Sequence, residues 1–139
     1  MMKRFLLTLS LGMACSPLLM AEVVVVANTK LPVDSIDVEL VGNVFLGKAF
    51  ALPDGTRLIP LERPKDAKIK EDFHAKVTKK DLGQLNAYWS RLIFTGKNAP
   101  PNEVDDDEEV LALIKGNENI IGYVDSGSVT SDVKVVLKP

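Results

Sequence analysis

The run Glu22-Val23-Val24-Val25-Val26-Ala27 constrains this chain more than any other stretch. Four consecutive β-branched residues disfavour a helix and suit a pleated strand. The run does not alternate apolar with polar residues, so neither face can be left to water. Such a strand belongs in the middle of a sheet with cover on both faces. The reading it imposes is α/β: a mixed β-sheet flanked by helices.

What precedes the run is read separately. Lys3 and Arg4 form a positive start, Phe5 to Met20 is mostly apolar, and Ala21 is a small residue before Glu22. The apolar stretch is short for a membrane span, and the whole is a secretory signal pattern with cleavage after Ala21. An N-terminal anchor and a lipoprotein signal at Cys15 are the two alternatives. Gly12-Met13-Ala14 lacks the Leu usual three positions before a lipidated Cys. The domain division is therefore 1–21 as signal peptide and 22–139 as one α/β domain.

At that length folding buries roughly 65% of the unfolded chain's surface, enough for an independent core. Cys15, the sole cysteine, leaves with the signal. The exported chain then has neither a disulfide nor thiol chemistry, and its stability must come from packing. With Lys3 and Arg4 set aside, 15 bases face 19 acids, a net charge of −4. That argues against nucleic acid as a partner, although a local basic pocket for a small anion can exist on an acidic protein.

Asp37 to Lys48 reads as a short helix with both ends written in. Asp37 is the expected N-cap, Ile36 and Val41 a hydrophobic staple, and Glu39 a match to the helix dipole. Val38, Val41, Val44 and Phe45 share a face at helical spacing, and Gly47 can take the left-handed conformation that ends the helix. Pro53-Asp54-Gly55 is a turn. Arg57 to Glu62 is a second strand, at an edge or paired on one side at Pro60, which has no amide proton to give a ladder.

Two helices follow. Asp66 is the expected cap of the first, with Ile69, Phe73 and Val77 as its apolar stripe. Thr78 is the expected cap of the second, with Asp81 completing a capping box. Leu82, Leu85, Trp89, Leu92 and Ile93 form the stripe of that second helix, and Gly96 ends it. A stacking role for Tyr88 and Trp89 is the alternative to a core role. Phe45 and Trp89 are expected in one core. Pro100-Pro101 makes a rigid connection.

The run Asp105 to Glu109 lacks EF-hand spacing and reads as acids at the start of a helix carrying Val110, Leu111, Leu113 and Ile114. Asn119 to Val124 and Val133 to Leu137 are the closing strands. The element order is β-α-β-α-α-α-β-β.

Nothing in the sequence has a catalytic signature. The one histidine, His74, is expected on an exposed helix face. There is no metal-ligand cluster and no Gly-rich nucleotide loop. The reading is a non-enzyme without a cofactor.

Several segments together resemble one family. Phe45-Leu46-Gly47-Lys48 is followed by Pro53-Asp54-Gly55 and Leu58-Ile59-Pro60-Leu61. Then come Phe73, Tyr88-Trp89, Phe94-Thr95-Gly96-Lys97, Pro100-Pro101 and Ile120-Ile121-Gly122-Tyr123. In this order they resemble the phosphate-type periplasmic substrate-binding proteins of ABC transporters, over nearly all of residues 22–139.

The resemblance implies a single lobe of the periplasmic-binding-protein type, phosphate or another small anion as ligand, a periplasmic location, and an ABC transporter permease or another envelope protein as partner. A homodimer could supply the second wall of a cleft. The family holds its anion near Arg-x-x-Gly-Ser-Gly-Thr, on hydroxyls and backbone amides at a helix start. The matching stretch here is Arg63-Pro64-Lys65-Asp66-Ala67-Lys68-Ile69, so the implied anion-loop residues are Arg63, Lys65 and Asp66. The Ser-Gly-Thr element is missing. The alternative function is a non-transporting envelope scaffold that keeps the lobe without tight ligand binding.

Overall fold

The computed structural model describes residues 22–139; the signal-peptide reading of residues 1–21 lies outside the described residues. The strands are β1 (Val23–Asn28), β2 (Ile59–Glu62), β3 (Asn102–Glu103), β4 (Ile120–Asp125) and β5 (Val133–Leu137). The helices are α1 (Val38–Phe45), α2 (Lys68–Lys76), α3 (Leu82–Phe94) and α4 (Asp107–Lys115). Short β3, between α3 and α4, is the one strand the sequence pattern did not announce. With only two residues, it carries no periodicity to read.

The sheet order is β3-β2-β4-β1-β5. β2 runs parallel to β3 and β4, whereas β1 is antiparallel to β4 and β5. β1 thus sits inside the sheet, and all six of its residues are buried. Val23, Val25 and Ala27 join the layer under α1 and α2, with Val41, Phe45, Phe73 and Tyr123. Val24 and Val26 join the opposite layer, with Val110 and Ile114 of α4. The uninterrupted valine run is apolar because each face of the sheet has its own helical cover.

Pro60 is paired on one side only. It faces Ile121 of β4, while β3 reaches no further back than Leu61. At Gly122 a side chain would collide with α4, because a Cβ there would lie 2.7 Å from Val110 Cγ1. The missing side chain lets α4 settle on the sheet.

The helix ends differ from the expected ones in several places. Asp37 precedes α1 in extended conformation but makes no side-chain cap. Val38 is 37% exposed and so falls off the stripe that buries Val41, Val44 and Phe45. The cap position of α2 is Ala67, not Asp66. α3 is capped by Asp81, whose carboxylate accepts from Gln84 N–H while the Gln84 side chain accepts from Asp81 N–H. Thr78 is left to bond with His74 instead. The capping box is real but starts three residues later, since Asp81 and Gln84 satisfy the pattern as well as Thr78 and Asp81 do. Gly47 and Gly96 take positive φ where α1 and α3 end, as expected.

Phe45 and Trp89 are both buried, but not in one core. Phe45 lies under the sheet with Phe73 and Tyr123. Trp89 packs with Leu46 and Leu85 in a smaller cluster that fastens α3 to the end of α1. The split follows from α3 packing on a helix rather than on the sheet. Tyr88 OH donates to Leu46 O at 2.6 Å across the same junction.

Candidate functional site at the carboxyl edge of the parallel strands

In open α/β sheets, ligands bind outside the carboxyl ends of the parallel strands. Here β2 ends at Glu62 and passes directly into Arg63, β3 ends just before the start of α4, and β4 ends at Asp125. Arg63 lies at the centre of this edge, and it is buried, at 5% exposure. Its Nη1 donates to Asp107 Oδ1 at 2.8 Å and to Tyr123 O at 3.3 Å. Asp107 is the first residue of α4. Its other oxygen accepts from Asp125 N–H at 3.1 Å and Ser128 Oγ at 2.7 Å. The ion pair therefore ties the ends of β2 and β4 to the start of α4. Arg63 Nε is buried without a partner among the described residues.

Lys65 and Asp66 are exposed on the loop beyond. Lys65 lines a groove on the α3 side. The structure thus brings Arg63 to Asp107, and it leaves Lys65 and Asp66 outside that ion pair. The acidic run has the expected place: Asp106 caps α4 by accepting from Glu109 N–H at 2.8 Å, and Asp107 to Glu109 occupy its first turn. Among the described residues no group of three potential metal ligands is assembled.

Beneath the edge lies a polar cluster that the sequence reading missed. Glu62 is 2% exposed and His74 wholly buried, so the expectation of an exposed His74 is corrected. His74 Nε2 meets Glu62 Oε2 at 2.8 Å and Nδ1 meets Thr78 Oγ1 at 2.9 Å. Facing a carboxylate, Nε2 carries the proton. Glu62 Oε1 accepts from Tyr123 OH in a short bond and from Arg63 N–H at 3.0 Å.

Burial alone would raise the Glu62 pKa. The His74 hydrogen bond and charge, with the Tyr123 and Arg63 donors, outweigh it and hold the carboxyl below its ordinary value. Burial, and then the Glu62 charge, push Tyr123 well above the ordinary phenol range, so it remains a donor. Phe73 stacks on Tyr123 with centroids 4.0 Å apart and planes within 4°.

Two signals were available for this cluster. Leu61 faces the α4 layer, so strand alternation turns Glu62 into the opposite layer. His74 lies beside Phe73 and three residues before Val77, within the buried stripe of α2.

No protein-family model matches the sequence, nor does any curated protein. Solved structures do match in fold. A Clostridium perfringens protein described as a phosphate ABC transporter substrate-binding protein, solved with bound phosphate, aligns with a TM-score of 0.67 and 17% identity over 84% of this chain. An ABC-type phosphate transport receptor from Vibrio cholerae aligns with a TM-score of 0.56 and 16% identity over 84% of this chain. PstS from Borrelia burgdorferi aligns with a TM-score of 0.61 and 12% identity, again over 84%. The chain covers 44%, 45% and 46% of these three structures respectively, less than half of each. The fold is that of a single lobe of these proteins: a mixed five-stranded sheet with four helices.

Proposed function

We propose that this chain is a periplasmic, non-enzymatic binding lobe of the phosphate-receptor type, with the loop from Arg63 to Ala67 as a weak subsite for phosphate or a similar small anion. The observation that carries this reading is the fold match to a structure solved with phosphate bound. Arg63 stands at the edge of the sheet where such folds take ligands. Lys65 and the backbone amides at the start of α2 are the other donors. The affinity is weak because tight anion sites need several charge-assisted bonds in a dry cleft. Here Asp66 adds a negative charge, the Ser-Gly-Thr hydroxyls are absent, and one lobe leaves the anion facing water. A second copy or an ABC transporter permease would close the other wall.

A second reading has its own observation. The Arg63 guanidinium is already committed to Asp107 at 2.8 Å. A lobe wired this way can act as an envelope scaffold that transports nothing.

Titration of phosphate into the exported chain, at several protein concentrations and with Arg63→Ala, separates the two. Binding near millimolar strength that depends on Arg63 and tightens as the chain dimerises supports the subsite. No binding at any concentration, with a stable envelope partner recovered by cross-linking, supports the scaffold. The intact mass of the exported protein should begin at Glu22; a lipid-modified Cys15 or a retained Met1 would overturn the export reading.

A further inference from the structure

A groove of about 480 Å³ runs between α3 and the loop after β2. Its lining includes Lys65 and Lys70 on one side and Leu85, Trp89 and Ile93 on the other, with Glu103 of β3 as its one carboxylate. Lys70, in the first turn of α2, is only 8% exposed. No ion pair or side-chain hydrogen bond among the described residues engages Lys70 or Lys65. Lys70 Nζ is nevertheless not among the sealed-off polar atoms, where Arg63 Nε stands alone. The Lys70 stem is therefore packed while its ammonium opens into the groove. An ammonium that opens into such a groove without a protein counter-charge gains from an anion.

We propose that this groove binds an organic anion with a flat apolar body. Its acid group lies between Lys65 and Lys70, and its body lies against Trp89, Leu85 and Ile93. The volume falls in the range of small-molecule sites, and the lining is a mostly apolar wall with a few charged groups. Two cations against one carboxylate set the sign of the ligand. Inorganic phosphate would leave the apolar wall unused. The proposal shares Lys65 with the loop subsite but does not rest on it, since Lys70 and Trp89 carry it.

Trp89 is the only tryptophan, so its fluorescence reports occupancy. The probes are phenyl phosphate, inorganic phosphate and phenol. Phenyl phosphate should saturate the Trp89 signal and bind at least about tenfold tighter than either fragment, the gain expected when one charge-assisted contact is added to apolar burial. Lys70→Met keeps the stem and removes the charge; it should cost phenyl phosphate about tenfold and leave phenol unchanged. Glu103→Gln should tighten phenyl phosphate.

Should Lys70→Met fail to fold by circular dichroism, Ser90→Phe, at an exposed position on the groove wall, should block phenyl phosphate by filling the space. Phenyl phosphate binding no tighter than inorganic phosphate would overturn the proposal, as would binding indifferent to the charge and filling variants. Loss of inorganic phosphate in Arg63→Ala, with phenyl phosphate retained, would place the two ligands at separate positions and support the groove.

Discussion

Glu62 on β2 and His74 on α2 meet at 2.8 Å inside the protein, with neither side chain reaching water. Removing the imidazole takes one donor from the buried Glu62 carboxylate and leaves a cavity where the ring was packed. His74→Ala should therefore destabilise by about 3–5 kcal/mol in urea melts at neutral pH.

The same pair sets a pH dependence. The Glu62 carboxyl is depressed in the folded protein. A carboxyl depressed on folding contributes stability that is fully present above its unfolded pKa, here near 4.5, and is lost as pH falls through the lower folded value. Urea midpoints should thus fall more steeply below about pH 4.5 in the native sequence than in Glu62→Gln. Equal acid slopes for the two proteins would show that folding does not lower the Glu62 pKa.

Phe45 and Trp89 belong to separate clusters. Phe45→Ala and Trp89→Ala should each cost about 3–5 kcal/mol, and the double mutant should come within about 0.5 kcal/mol of their sum. Phe45 and Phe73 have centroids 4.7 Å apart, so that pair should depart from additivity. Denaturant melts of the two double-mutant cycles decide it.

Neighbouring acids at the start of α4 should behave differently. Asp106→Asn should change stability little, since Asn also caps well. Asp107→Asn weakens the partner of a buried guanidinium and should cost about 2 kcal/mol or more. Calcium should leave the melting temperature of the native protein unchanged. A calcium-dependent rise would make the acidic run a metal site.

Gly122→Ala should destabilise by about 1–3 kcal/mol through overpacking against Val110. Val110→Ala, harmful alone, should become less harmful in the Gly122→Ala background, where it relieves the collision. A thermal-melt cycle showing simple additivity would place α4 further from β4 than the structure has it.

The fold was largely legible because its strongest signals are one-dimensional. The valine run of β1, the stripes of α1 and α3 and the apolar closing strands each follow from local periodicity. Pro60 even marked the limit of pairing on its strand. The polar interior was less legible. Glu62 and His74 lie twelve residues apart, and Arg63 and Asp107 forty-four, so no local spacing links them. The acidic run disclosed a helix start but not that one of its members neutralises Arg63. His74 was misplaced because a charged or polar type was assumed to lie outside, although its position in the α2 stripe placed it within.

The position of β1 in the sheet bears on how the chain comes to be folded at all. Val24 pairs with Val124, and Val26 with Val135, so the first strand finds both neighbours among the last two. Closing such distant pairs costs loop entropy before any contact repays it, which slows folding. A chain emerging from the ribosome holds its β1 valines without either partner until nearly every residue has been made. Until then an adhesive apolar segment stays exposed, of the kind that a holding chaperone would recognise.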